Sequence, residues 1–97
     1  MSEISIIGTE SQTSMALSKV KGFPEGMIPD GIKGGDTKII WSADKAGERE
    51  AARTMFDSLI RQGYTAFSVK NGEKQGRVRE FDPYAEQLIM VAPVVGG

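Results

Sequence analysis

The residues best suited to chemistry are the two glycines at positions 96 and 97, which close the stretch VAPVVGG, Val91 to Gly97. A glycine pair adds nothing to a core, because glycine loses more backbone freedom on ordering than any other residue. What it provides is access. An enzyme that activates a C-terminal carboxylate must thread it through a narrow slot, bring the α-phosphate of ATP beside it, and present the acyl carbon to a thiol or an amine. Side chains obstruct each of those steps. Gly96 and Gly97 would leave the acyl carbon unhindered, and an extended Val94 and Val95 would form main-chain hydrogen bonds along the slot. Pro93 restricts the chain just upstream and so reduces the entropy lost on threading. The candidate activated terminus is therefore Gly96 and Gly97, with Pro93, Val94 and Val95 as the threading segment.

The remaining inventory excludes more than it offers. The chain has no His and no Cys, the side chains that supply most general bases near neutral pH, most reactive thiolates and most transition-metal ligands. No nucleophile-elbow or phosphate-loop pattern organises the other candidates. The expectation is a protein that is not an enzyme, with no catalytic residues, no metal site and no cofactor of its own, ATP being used by the activating enzyme. Twelve basic residues stand against 13 acidic ones, for a formal net charge of −1, which offers a nucleic-acid backbone no global attraction. The apolar runs are far shorter than the roughly 18 residues that span a bilayer. Met1 to Gly8 lacks the basic start and long apolar core of a secretory signal, and without Cys there is no disulfide framework. A cytoplasmic location, with no nucleic-acid or membrane partner, is the expectation.

The elements that must position the tail begin near Asp36. With 97 residues, 39% hydrophobic and 26% charged, the chain suits one small domain. Residues 8–36 hold six of the twelve glycines and two of the four prolines without a sustained period, so residues 1–36 read as a flexible, glycine-rich arm. Two apolar pieces interrupt it: ISII, Ile4 to Ile7, as a brief strand, and MALSKVKGF, Met15 to Phe23, as a weak helical turn or docking stretch. From Thr37 the signals agree. TKIIW is β-branched and aromatic, as a strand requires. Ser42 or Asp44 is placed to cap a helix in which Ala52, Met55, Phe56, Leu59 and Ile60 recur at spacings of three and four, and Gly63 stands where a left-handed C-terminal cap is wanted. YTAFSVK and RVREF read as the arms of a hairpin around the turn-rich NGEKQG, and LIMVA, Leu88 to Ala92, as a strand in the middle of a sheet. Residues 37–97 thus predict an α+β domain, a two-layer sandwich with one helix on a mixed sheet of four to five strands.

A strand that runs through LIMVAPVVGG resembles the end of the β-grasp carriers and modifiers: the small sulfur carriers of molybdopterin and thiamine synthesis (the MoaD and ThiS type), and ubiquitin with its bacterial relatives, which finish on Gly-Gly directly after their last strand. FDSLIRQGYTAFSV and REFDPYAEQLIMVAPVVGG are similar to small bacterial ubiquitin-like proteins that accompany activating enzymes. The resemblance implies a hairpin ahead of the helix, in which the partner of TKIIW must come from ISII across the glycine-rich stretch or be absent. It implies a protein modifier adenylated at the Gly97 carboxylate and passed through thioesters to a target protein. The partners would be a ThiF-like adenylating enzyme, a conjugating enzyme and a deconjugating protease. A sulfur carrier ending in a thiocarboxylate, and a structural module docking through its N-terminal arm, are the alternatives; the arm and lysines such as Lys70 and Lys74 lean towards the modifier. Trp41 reads first as a packed strand residue and Arg77 and Arg79 as part of a solvated strand face; all three are also candidates for a partner surface, since Trp and Arg are enriched at interfaces.

Overall fold

A computed structural model describes residues 2–20 and 35–94. The elements follow in the order β1 (Ser2–Gly8), α1 (Glu10–Ser18), β2 (Gly35–Trp41), α2 (Ala46–Arg61), β3 (Thr65–Lys70), β4 (Glu73–Val78) and β5 (Gln87–Val91). The strands form one mixed sheet in the order β2-β1-β5-β3-β4. β1 runs antiparallel to β2 and parallel to β5, and β3 is antiparallel to both β5 and β4. Ile4, Ile6, Ile39, Trp41, Ala66, Leu88 and Met90 from the sheet share one core with Ala16 and Leu17 of α1 and Ala52, Met55, Phe56 and Leu59 of α2. Both helices therefore cover the same face, giving an α+β sandwich of two layers.

The start of the chain departs from the expected arm. Residues 2–8 form an inner strand that contains the brief strand expected at Ile4 to Ile7, with Ile4 and Ile6 fully buried, and residues 10–18 form a second helix rather than a loop. The helix begins with a capping box: the Gln12 amide donates to Thr9 Oγ1 at 3.0 Å, and the Thr9 amide donates to Gln12 Oε1 at 2.8 Å, satisfying two backbone donors that a helix start otherwise leaves open. Its buried face is narrow, Thr13, Ala16 and Leu17, followed by Val20. That face is anchored to α2 by Gln62, whose Nε2 donates to the Ala16 carbonyl at 3.2 Å. The rest of the expected arm, residues 21–34, lies outside the described residues.

α2 carries the predicted stripe, with Ala52, Met55, Phe56 and Leu59 fully buried and Ile60 half-buried. Its start differs from expectation. The N-cap is Lys45, with no side-chain cap; neither Ser42 nor Asp44 takes that role. Instead Glu48, in the first turn, reaches back to accept the Ser42 amide at 3.0 Å, its charge also favourable at the positive end of the helix. The other end closes as the sequence predicts: Gly63 adopts φ +96°, its amide donates to the Ile60 carbonyl, and the Tyr64 amide donates to that of Leu59, both at 3.0 Å. This is a Schellman cap, and it aims the chain into β3.

The β3–β4 turn is tighter than expected. Only Asn71 (φ 53°) and Gly72 (φ 76°) lie between the paired Lys70 and Glu73, the double left-handed geometry of a two-residue hairpin. β4 consequently covers 73–78 instead of 77–81. A register shift opposite Ser68 and Val69 leaves Gln75 as an extra residue on the edge strand, the geometry of a bulge. Phe81 then leaves the sheet and enters the core, where its ring lies 5.5 Å from that of Trp41 and 5.8 Å from that of Phe56. The last strand, β5, lies between β1 and β3, as its continuous apolar run predicts. Among the described residues no helix is long and apolar enough to cross a membrane.

Candidate functional site

The segment leaving β5 is held on one side and free on the next residue but one. Parallel pairing with β1 continues one residue past the strand, where the Ala92 amide donates to the Ile7 carbonyl at 2.9 Å. Ala92 packs against the core. Pro93 has no N–H with which to continue a ladder, and it lies against the Gly63 corner, where a Cβ built on Gly63 would stand 3.6 Å from the Pro93 Cβ. Val94 is 94% exposed. Fixed backbone thus gives way to solvent between Ala92 and Val94, at the end of the sheet where β5 emerges. Val95, Gly96 and Gly97, the rest of the predicted site, lie outside the described residues.

The root of this segment fits closely into the β1–α1 corner. A Cβ on Gly8 would come within 3.1 Å of both the Ala92 Cβ and Gln12 Oε1, tighter than side chains normally pack. Gly8 thus allows three features to meet: the end of β1, the α1 capping box and the exit of β5.

Two clefts flank the root and share Tyr64 as a wall. The first, about 140 Å³, lies between α1 and the end of α2, with Met15, Ala16, Lys19 and Gln62 around Ala92 and Pro93. The second, about 250 Å³, opens towards the β4 edge between Ile60, Ala66 and Val78, with Arg77 and Arg79 in its lining. Burial raises the Tyr64 phenol above its ordinary pKa of 10.0, since the anion loses solvation there. The side chain is therefore a neutral hydroxyl at physiological pH.

The three residues proposed for a partner surface part company. Arg77 and Arg79 are exposed and border the second cleft. Trp41 does not join them: it is fully buried, with its indole N–H donating to the Pro83 carbonyl at 3.3 Å. The crossing segment after β4 covers it, so its role is packing.

No family model, curated protein or solved structure matches this chain. Among the described residues no group of three His, Cys, Asp or Glu side chains could hold a metal ion. What the arrangement can do is release the chain at Val94 from a base anchored at Ala92 and Pro93, with an apolar cleft on one side and one bordered by Arg77 and Arg79 on the other. Gly8, Gln12, Gly63 and Tyr64 form that base. Of these, only Gly63 was singled out by sequence, through its helix-capping position; the Thr9 to Gln12 spacing is a capping-box signature that would have located Gln12.

Proposed function

We propose that this chain is a β-grasp-like domain acting as a ubiquitin-like modifier, which holds out its C-terminal peptide for activation by a ThiF-like adenylating enzyme. The observation that carries this reading is the course of β5. It lies inside the sheet, paired on both sides, and two residues beyond its last backbone anchor at Ala92 the chain stands in solvent at Val94. A peptide fed into an enzyme needs such a base, because a fixed root limits the freedom lost on threading. The antiparallel pairing of β1 with β2 ahead of α2 supplies the pair of strands that the β-grasp resemblance requires, with α1 set into the connection.

The chemistry follows from a terminal glycine carboxylate. One carboxylate oxygen of Gly97 attacks the α-phosphorus of ATP, forming an acyl adenylate and releasing pyrophosphate. A cysteine thiolate of the enzyme then displaces AMP to give a thioester, and a target amine displaces the thiol to give an amide. This chain contributes no catalytic group to these steps; it contributes an unhindered acyl carbon and a base that fixes the peptide's direction.

The test is ATP–pyrophosphate exchange by a ThiF-like adenylating enzyme from the same genome. The expected result is exchange that depends on this protein and is lost on deletion of Gly97. Exchange that proceeds equally without the protein, or none with any such enzyme of that genome, contradicts the reading.

A further inference from the structure

We infer that α1 is a cover over the root of the C-terminal segment, and that it opens as a unit while the sheet and α2 stay folded. Three features of the helix support this.

The first is its attachment. α1 gives the core only Thr13, Ala16 and Leu17, with Val20 just beyond it, while Met15 on the same helix is 65% exposed. α2 by contrast buries Ala51, Ala52, Met55, Phe56, Ser58 and Leu59. Among the described residues one side-chain hydrogen bond joins α1 to the rest of the fold, from Gln62 Nε2 to the Ala16 carbonyl at 3.2 Å. An element with so few buried apolar contacts separates at a lower free energy than the whole fold.

The second is a buried hydroxyl. Thr13 is fully buried, and its Oγ1 has no hydrogen-bond partner among the described residues. Such a group has given up its hydration without compensation. The loss exists only while α1 is docked, because an undocked helix returns the hydroxyl to water. Thr13 therefore opposes the closed position, against the apolar contacts of Ala16 and Leu17 that favour it.

The third is place. Gln12, Met15, Ala16 and Lys19 form one wall of the cleft that holds Ala92 and Pro93, and Tyr64 and Gln62 stand on the other side. Removing that wall bares the apolar surface of Ala92 and Pro93 to a partner. The Ala92 amide keeps its acceptor meanwhile, since Ile7 belongs to β1 and not to the helix. Opening thus uncovers the root without dismantling the strand that carries it.

The test is hydrogen exchange of the full-length protein, followed by NMR over a series of low urea concentrations. The amides of Ala16 and Leu17 should be protected about tenfold or more less than those of Leu88 and Met90, with a weaker but measurable dependence on urea, the signature of a partial opening. Thr13→Val, close in shape and helix propensity, should raise the protection of Ala16 and Leu17 by about fivefold or more, because no hydroxyl is left to desolvate. Phe56→Leu, in the part of α2 that packs on Phe81, should lower the protection of Leu88 and Met90 and leave that of Ala16 and Leu17 unchanged. Equal protection and equal urea dependence of α1 and β5 would overturn the inference, as would α1 falling in step with β5 in Phe56→Leu. So would exchange of Ala16 and Leu17 with no urea dependence, which is fraying, or a loss of α1 protection in Thr13→Val, which would show that the hydroxyl is satisfied when the helix is docked.

Discussion

The amide of Ala92 donates to the carbonyl of Ile7 at 2.9 Å, so the first strand of the chain holds the last described backbone anchor before the C-terminal peptide. The consequence is mechanical. The direction in which Pro93 and Val94 leave the sheet is set by residues more than 80 positions earlier, at the β1–α1 corner.

That corner should not tolerate a side chain at Gly8. The added Cβ would meet Ala92 and the Gln12 oxygen, each at 3.1 Å, and Gln12 cannot yield without releasing the Thr9 amide. Gly8→Ala is expected to cost about 1 kcal/mol or more, the scale of a lost helix cap. In a Gln12→Ala background the same substitution should cost less, because one of its two clashes is gone. Urea titration of the four proteins checks this; equal costs in both backgrounds would show that the corner does not couple cap and exit.

The α2 stripe should dominate stability. Phe56→Ala and Leu59→Ala are each expected to cost about 2–5 kcal/mol, since both side chains are fully buried and would leave cavities. Asp57→Ala, on the exposed face between them, should stay within about 0.5 kcal/mol. Reversal of that ranking in denaturant titrations would mean that the helix presents another face.

What the sequence made legible was local, and what it hid was not. α2 and its Gly63 cap could be read because apolar spacing and a left-handed turn are properties of neighbouring residues, and β5 because an unbroken apolar run suits a strand paired in the middle of a sheet, where it lies between β1 and β3. α1 could not be read from apolar period, since its buried face is only Thr13, Ala16 and Leu17 among serines and glutamine. β1 is legible as the brief strand ISII, and the resemblance offers it as the partner of TKIIW, which is where it pairs; its second partner at 87–91 has no local pattern to announce it. Trp41 packs, as a strand aromatic is expected to, but the residues that cover it, Phe81 and Pro83, come from a distant crossing segment, which removes it from the partner surface. Pro93 and Val94 follow the last strand directly in the sequence, whereas Gly8 and Tyr64 come beside them only through the folding of β1 and α1.

Backbone exchange should therefore protect the start of the chain. The amides of Ile4, Ser5 and Ile6 are expected to exchange as slowly as those of Leu88 and Met90, because β1 lies between β2 and β5. Hydrogen exchange followed by NMR measures this directly. Exchange of β1 in the time of an exposed peptide, with α2 still protected, would mean that the first strand is an appendage.

Tyr64 should impose an alkaline limit on stability. Its folded pKa is raised above 10.0 by burial, so the fold favours the protonated phenol. That contribution is fully present below the unfolded value and is lost as pH rises through 10 towards the folded value. Relative to Tyr64→Phe, the wild type should hold a constant difference in urea midpoint up to about pH 9 and lose ground above pH 10, by the linkage of ionisation to folding. A difference that stays flat through pH 11 would show that the phenol ionises equally in both states.

The most direct test of the central claim, that the folded sheet exists to present a reactive C-terminal peptide, is the intact mass of the protein after reaction with ATP and a ThiF-like adenylating enzyme. The full-length chain should appear as a thioester on the enzyme or as an amide conjugate joined through Gly97, while a chain lacking Gly97 stays unreacted and melts at the same Tm, since Val94 already stands free of the core. A gain of one sulfur in place of oxygen would instead assign a sulfur carrier. Unaltered mass of the full-length chain, or a fall of many degrees in Tm on removing Gly97, would contradict the account and make the segment after β5 part of the packed structure.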